Sequence, residues 1–126
     1  MSGKIELLLP VELYERAACD DAERAGLSDA VEQMVAFAER GRREGLLALE
    51  DDLDQIPDTF LRSAIQLVVD GTDPELIREI CITRMLFLHV TGVELLRRII
   101  YTLGALMIQS GDNPRIIQEL LSSFVA

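Results

Sequence analysis

Along the chain, apolar residues return every three or four positions, the spacing that lines one face of an α-helix. From Asp29 onward Val31, Met34, Ala38, Gly41, Gly45 and Ala48 form such a seam, which predicts one long helix running to about Asp52. Its small residues would let a second backbone approach, although each interior glycine costs about 1 kcal/mol relative to alanine. Upstream, Pro10 to Ala25 carries Val11, Leu13, Tyr14, Ala17 and Ala18 among acidic residues. It reads as a weakly amphipathic helix ended by Gly26, with Ser28 capping the next. Met1 to Leu9 is either a short extended piece or a frayed helix.

Downstream, Ile56-Pro57-Asp58 breaks the pattern, and Asp58 is placed to cap a helix through Phe60, Leu61, Ala64, Ile65, Leu67 and Val68. Pro74 opens another to about Leu88, with Leu76, Ile77, Ile80, Cys81, Phe87 and Leu88 on its apolar face and Arg78 and Glu79 outside; Thr91-Gly92 marks its end. Two more run from about Val93 to Gln109 and from Pro114 to about Phe124. All the turn signals separate helices. The expected fold is all-α, a compact bundle of about five to six helices forming one domain over 1–126, with 1–27 a divergent N-terminal extension.

Two of the breaks are copies of each other. Gly71-Thr72-Asp73-Pro74-Glu75-Leu76-Ile77 returns as Gly111-Asp112-Asn113-Pro114-Arg115-Ile116-Ile117, forty positions on. Glycine ends a helix in the left-handed conformation, where a side chain would clash. Asp73 or Asn113 then accepts a bond from an orphan N–H of the next helix, and proline suits its first position, where no donor is needed. Each copy spells stop, cap, start. Two copies fall short of the three or more repeats that a solenoid needs, so this is a local repeat.

Composition narrows the function classes. The 126 residues hold 12 Lys and Arg against 22 Asp and Glu, a formal charge of −10 that repels phosphate backbones and anionic lipid surfaces. Nucleic acid is not an expected partner. The most apolar region, Ile80 to Ile108, is interrupted by Arg84, His89, Glu94, Arg97 and Arg98, which leaves no run near the ~20 residues of a spanning helix. No membrane insertion is expected. Cys19 and Cys81 are isolated, both predicted on helices, and no apolar leader precedes them, which favours a reducing, cytoplasmic setting.

Catalysis finds no convergent set of residues. The single histidine, His89, has no paired His or Cys motif and takes a structural or helix-end role. Neither cysteine has metal-ligand spacing, the serines lack a nucleophile elbow, and the glycines lack the Lys-Ser/Thr of a phosphate loop. The acidic run Glu50-Asp51-Asp52-Asp54 lacks the spaced oxygens of a calcium loop and reads as solvated surface. No cofactor, metal or catalytic residue is assigned. On the predicted long helix the charge changes from Arg40, Arg42 and Arg43 to that acidic run. Glu39 with Arg43 and Arg40 with Glu44 can pair at i,i+4, or the strip can dock a partner, with Arg42 and Glu50 eight residues, roughly 12 Å of helix rise, apart.

Phe37-Ala38-Glu39-Arg40-Gly41-Arg42-Arg43-Glu44-Gly45-Leu46-Leu47-Ala48-Leu49-Glu50, Phe60-Leu61-Arg62, Leu67 to Ile80 and Ile108 to Ile117 resemble, in order, the cytoplasmic region of the flagellar motor stator subunit MotA, of the MotA/TolQ/ExbB-like family. That resemblance implies a helical, non-enzymatic domain that contacts the rotor switch protein FliG through charged side chains. By position the rotor-facing Arg falls on Arg42 and the rotor-facing Glu on Glu50; with Arg43 and Asp51 they make the expected protein-binding set. The family's membrane helices have no counterpart here before Phe37 or between Ile80 and Ile99, so ion conduction is not implied. The alternative is a helical scaffold that self-associates, as a homo-oligomer, through the small seam and the apolar Met85 to Val90 segment.

Overall fold

The computed structural model describes residues 8–125. Among them are seven α-helices, α1 (Val11–Arg16), α2 (Asp21–Ala25), α3 (Ser28–Glu44), α4 (Thr59–Val69), α5 (Pro74–Phe87), α6 (Gly92–Ser110) and α7 (Pro114–Ser122), with a 3-10 segment (Leu46–Gln55) between α3 and α4 and no strand. The all-α expectation holds. Two predicted helices are each broken in two, the first into α1 and α2, the second into α3 and the 3-10 segment.

The first break divides Pro10 to Ala25. Asp20 accepts a bond from the Glu23 N–H while the Glu23 carboxylate accepts one from the Asp20 N–H, a reciprocal cap that starts α2 afresh. Cys19 therefore lies in the link between α1 and α2, not on a helix. Ser28 does not cap either: Leu27 holds that place, makes no side-chain cap and is fixed instead by complete burial.

The second break is the consequential one. The predicted helix to Asp52 ends at Glu44, and Gly45 turns the chain at φ 91° and ψ 152°, a backbone region essentially reserved for glycine. The chain then folds back as the 3-10 segment, packed on α3 and α4. The small seam is covered by this continuation: a Cβ on Gly41 would meet Leu46 Cδ2 at 2.8 Å, whereas one on Gly45 would meet nothing within 4 Å. So Gly41 is close-packed by the chain's own next turn, and Gly45 serves the bend.

The core is organised around α6, which touches α1, α3, α4, α5 and α7. Every residue from Tyr101 to Ile108 is buried, as a helix enclosed on all sides must be. Its one buried polar side chain, Thr102, donates to the Arg98 carbonyl at 2.8 Å. At the crossing with α3, Gly104 sits against Met34, whose Cβ, Cγ and Cε would lie 3.2, 3.0 and 2.7 Å from an added Cβ. The close approach of α3 and α6 is thus made by Gly104 beneath the seam residue Met34, not by the seam's own small residues.

The two repeated turns behave as read. In each, the glycine N–H bonds to the carbonyl three residues back (Gly71 to Val68, Gly111 to Ile108, both 3.0 Å) and the next N–H to the carbonyl five back (Thr72 to Leu67 at 3.1 Å, Asp112 to Met107 at 3.0 Å). Asp73 and Asn113 then accept from Glu75 and Arg115 N–H at 2.8 and 2.9 Å. Gln109 Nε2 donates to the Thr72 carbonyl at 2.8 Å, joining the turns side by side at one end of the bundle. Gly41, Arg42 and Leu46 border Ile108 to Asp112 there, so α3, α4 and α6 all end at this pole.

One apolar face differs from expectation. On α5, Ile77, Cys81 and Met85 are buried, but Leu76, Phe87 and Leu88 are more than half exposed, at 52%, 74% and 53%. The helix ends at Phe87, within one residue of the expected Leu88, and His89, just past the Leu88 cap, takes φ 54°. At this corner Phe87 and Leu88 turn largely to solvent.

Candidate protein-docking face

The charged strip is built around one residue that sequence reasoning had treated as ordinary. Arg40 lies one turn before the end of α3, and the fold-back brings the acidic run to it. Its guanidinium reaches Asp52 at 2.5 Å, Asp51 at 3.5 Å and Glu44 at 3.6 Å. The bond to Asp52 holds Arg40 protonated even more firmly than an ordinary arginine. The expected Arg40 with Glu44 pair is present; Arg43 pairs with Glu44, at 3.6 Å, and not with Glu39. The acidic run is anchored to a cation by a change of chain direction.

This geometry corrects the helix-rise estimate for Arg42 and Glu50, since a bend lies between them. Two residues along a helix are about 200° apart around its axis, so Arg42 and Arg40 flank the buried Gly41 on opposite sides. Arg42 turns to the second repeated turn, sharing one groove with Gly111 and Asp112 and another with Glu39, Arg43 and Pro114. Glu50 and Asp51 lie on the other side, on the 3-10 segment. Arg42, Arg43, Glu50 and Asp51 are all exposed. Among the described residues Arg42 and Glu50 have no ion-pair partner, whereas Arg43 and Asp51 are each shared with a neighbour. Arg42 and Arg43 also stand in the last turn of α3, where positive charge complements the helix dipole.

The remaining chemistry-bearing residues are dispersed. Burial pushes the Cys81 thiol up, away from the reactive thiolate. Among the described residues no three His, Cys, Asp or Glu side chains group as a metal site, and no helix is long and apolar enough to cross a membrane.

Comparison with known proteins supports the reading from sequence. The chain is 46% identical over 61 residues to Motility protein A of Borreliella burgdorferi, which covers 48% of this chain and 22% of the relative. About half of the chain is thus similar to Motility protein A. The chain is also 38% identical over 71 residues to Motility protein A of Treponema pallidum (54% of this chain, 27% of the relative) and 37% identical over 54 residues to that of Bacillus subtilis (43% and 20%). The chain thus spans only about a quarter of the length of these relatives. No family model and no solved structure matches it.

Proposed function

We propose that this chain is a non-enzymatic, cytoplasmic interaction module of the flagellar motor that docks the rotor switch protein FliG through Arg42, Arg43, Glu50 and Asp51. The observation that carries the reading is the division of labour in the charged strip. Arg40 and Asp52 satisfy each other, while Arg42 and Glu50 face solvent without an ion-pair partner among the described residues. Unsatisfied exposed charges of both signs suit a partner with complementary charges, and such groups govern association rate and salt dependence. Similarity to Motility protein A supplies the motor context.

Titration against the C-terminal domain of FliG from the same organism tests this, at low and physiological salt. Salt-sensitive binding is expected, weakened at least about tenfold by Arg42→Glu or Glu50→Arg with unchanged helix content. Absence of binding at high micromolar concentration overturns it. The exposed Phe87 and Leu88 favour a second reading, a self-associating helical scaffold. Gly41 and Gly45 no longer belong to that reading, because one is covered and the other forms the bend.

A further inference from the structure

The corner between α5 and α6 is chemically the complement of the 3-10 segment. One cleft there is lined by Thr59, Phe60, Ser63, Arg84, Leu88 and Arg98, with no carboxylate among them. Arg84 Nη1 donates to Ser63 Oγ, and the Arg98 guanidinium stands 5.3 Å over the Phe60 ring. Among the described residues neither has an ion-pair partner, although the chain carries a charge of −10. Leu88 lines it, and Leu88 and the neighbouring Phe87 are both exposed.

The 3-10 segment offers the matching set. Leu47 is 72% exposed, Glu50 lies three residues on and is eclipsed with it in this helix type, and Asp51 follows. The two surfaces are set apart along the bundle. The cleft lies toward the start of α4 and α6, Leu47 lies just past the end of α3 beside the end of α6, and α6 rises about 18 Å from Arg98 to Ser110. Among the described residues neither arginine pairs with Glu50 or Asp51 of its own molecule.

We propose that this chain assembles head to tail, the Arg84 and Arg98 cleft with Phe87 and Leu88 receiving Leu47, Glu50 and Asp51 of a second copy. The proposal rests on the self-association reading and names its two surfaces. Such a contact is heterologous, so each added copy leaves one cleft and one acidic segment free, and growth ends only if the ring closes. Because like-charged copies repel as wholes, association is local in origin, weak, and reduced by high salt. It also competes with any partner that uses Glu50 and Asp51.

Sedimentation velocity on the full chain up to high micromolar concentration tests it with two variants. The first, Arg84→Gln, Phe87→Ser and Leu88→Ser, removes the cleft; the second, Leu47→Ser, Glu50→Gln and Asp51→Asn, removes the acidic segment. No charge is reversed, so the altered surfaces do not complement each other. The wild type is expected to grow in mass with concentration, each variant alone to remain monomeric, and their equimolar mixture to stop at a one-to-one complex. A variant with Phe87→Ser and Leu88→Ser alone, which leaves the core intact, is expected to weaken growth at least about tenfold and serves if the first misfolds. Growth that persists in both variants, or a mixture that forms no complex, overturns the head-to-tail contact while leaving self-association standing. A wild type that stays monomeric overturns both.

Discussion

Gly71 and Gly45 each end a helix, yet they redirect the chain by different means. Gly71, at φ 72°, closes α4 with two local backbone bonds and hands over to Asp73 and Pro74, and Gly111 does the same at φ 76°. Gly45, at φ 91°, is followed by Leu46-Leu47-Ala48-Leu49, four residues with no cap and no proline. Apart from Gly45 itself, nothing local tells α3 to stop there. What holds the fold-back is tertiary: Leu49 and Leu53 buried, Leu46 over Gly41, and Arg40 gripping the acidic run. A turn written in local bonds survives loss of distant contacts; a bend held by packing should not.

The largest effect that separates the two is expected at Leu49. It is fully buried in the fold-back, and Leu49→Ala should cost about 3 kcal/mol in urea unfolding. A loss below about 1 kcal/mol would mean that packing does not hold the bend. Next come the glycines themselves, a clean pair because an added Cβ meets nothing within 4 Å at either site. Only backbone strain differs. Gly45→Ala enters a region that L-residues avoid and should cost about 2 kcal/mol, whereas Gly71→Ala enters the left-handed helical region at about 1 kcal/mol. Equal costs would erase the distinction. Smaller still are the caps: Asp73→Ala and Asn113→Ala should each cost about 1 kcal/mol by thermal unfolding, the aspartate slightly more because its charge also complements the helix dipole.

Legibility in the sequence follows the same division. Both repeated turns, the Asp58 cap (accepting from the Leu61 N–H at 2.9 Å) and the helical course from α4 to α7 were readable because each depends on residues within five positions. The bend at Gly45 was not, since the apolar spacing continues through Ala48 and leucine and alanine are good helix formers. The corner at Phe87 escaped because periodicity cannot tell which end of an apolar stripe outruns its neighbour. Of the proposed docking set, Arg42, Arg43, Glu50 and Asp51 were nameable by position. That Arg40 holds Asp51 and Asp52 was hidden, for both lie beyond the bend. A signal existed: an interior glycine followed by an acidic run that one straight helix would have placed against its own C-terminal dipole.

The finest test of the contrast is Arg40→Met, which keeps the aliphatic stem against α3 but removes the charge that Asp51, Asp52 and Glu44 share. If the acidic run is locked by this guanidinium, amide exchange should quicken within Leu46–Gln55, while the amides of α6 and of the Gly71 and Gly111 turns keep their protection. High salt should reproduce part of the effect in the wild type, because the ion pairs are only partly shielded from solvent. Uniform quickening across the molecule would show the Arg40 contact to be part of global stability, and the fold-back would then be as firmly built as the repeated turns. No change anywhere would leave Leu49 and Leu53 as sufficient anchors. In that case Arg40 and Asp52 would join Glu50 among the charges open to the proposed partner.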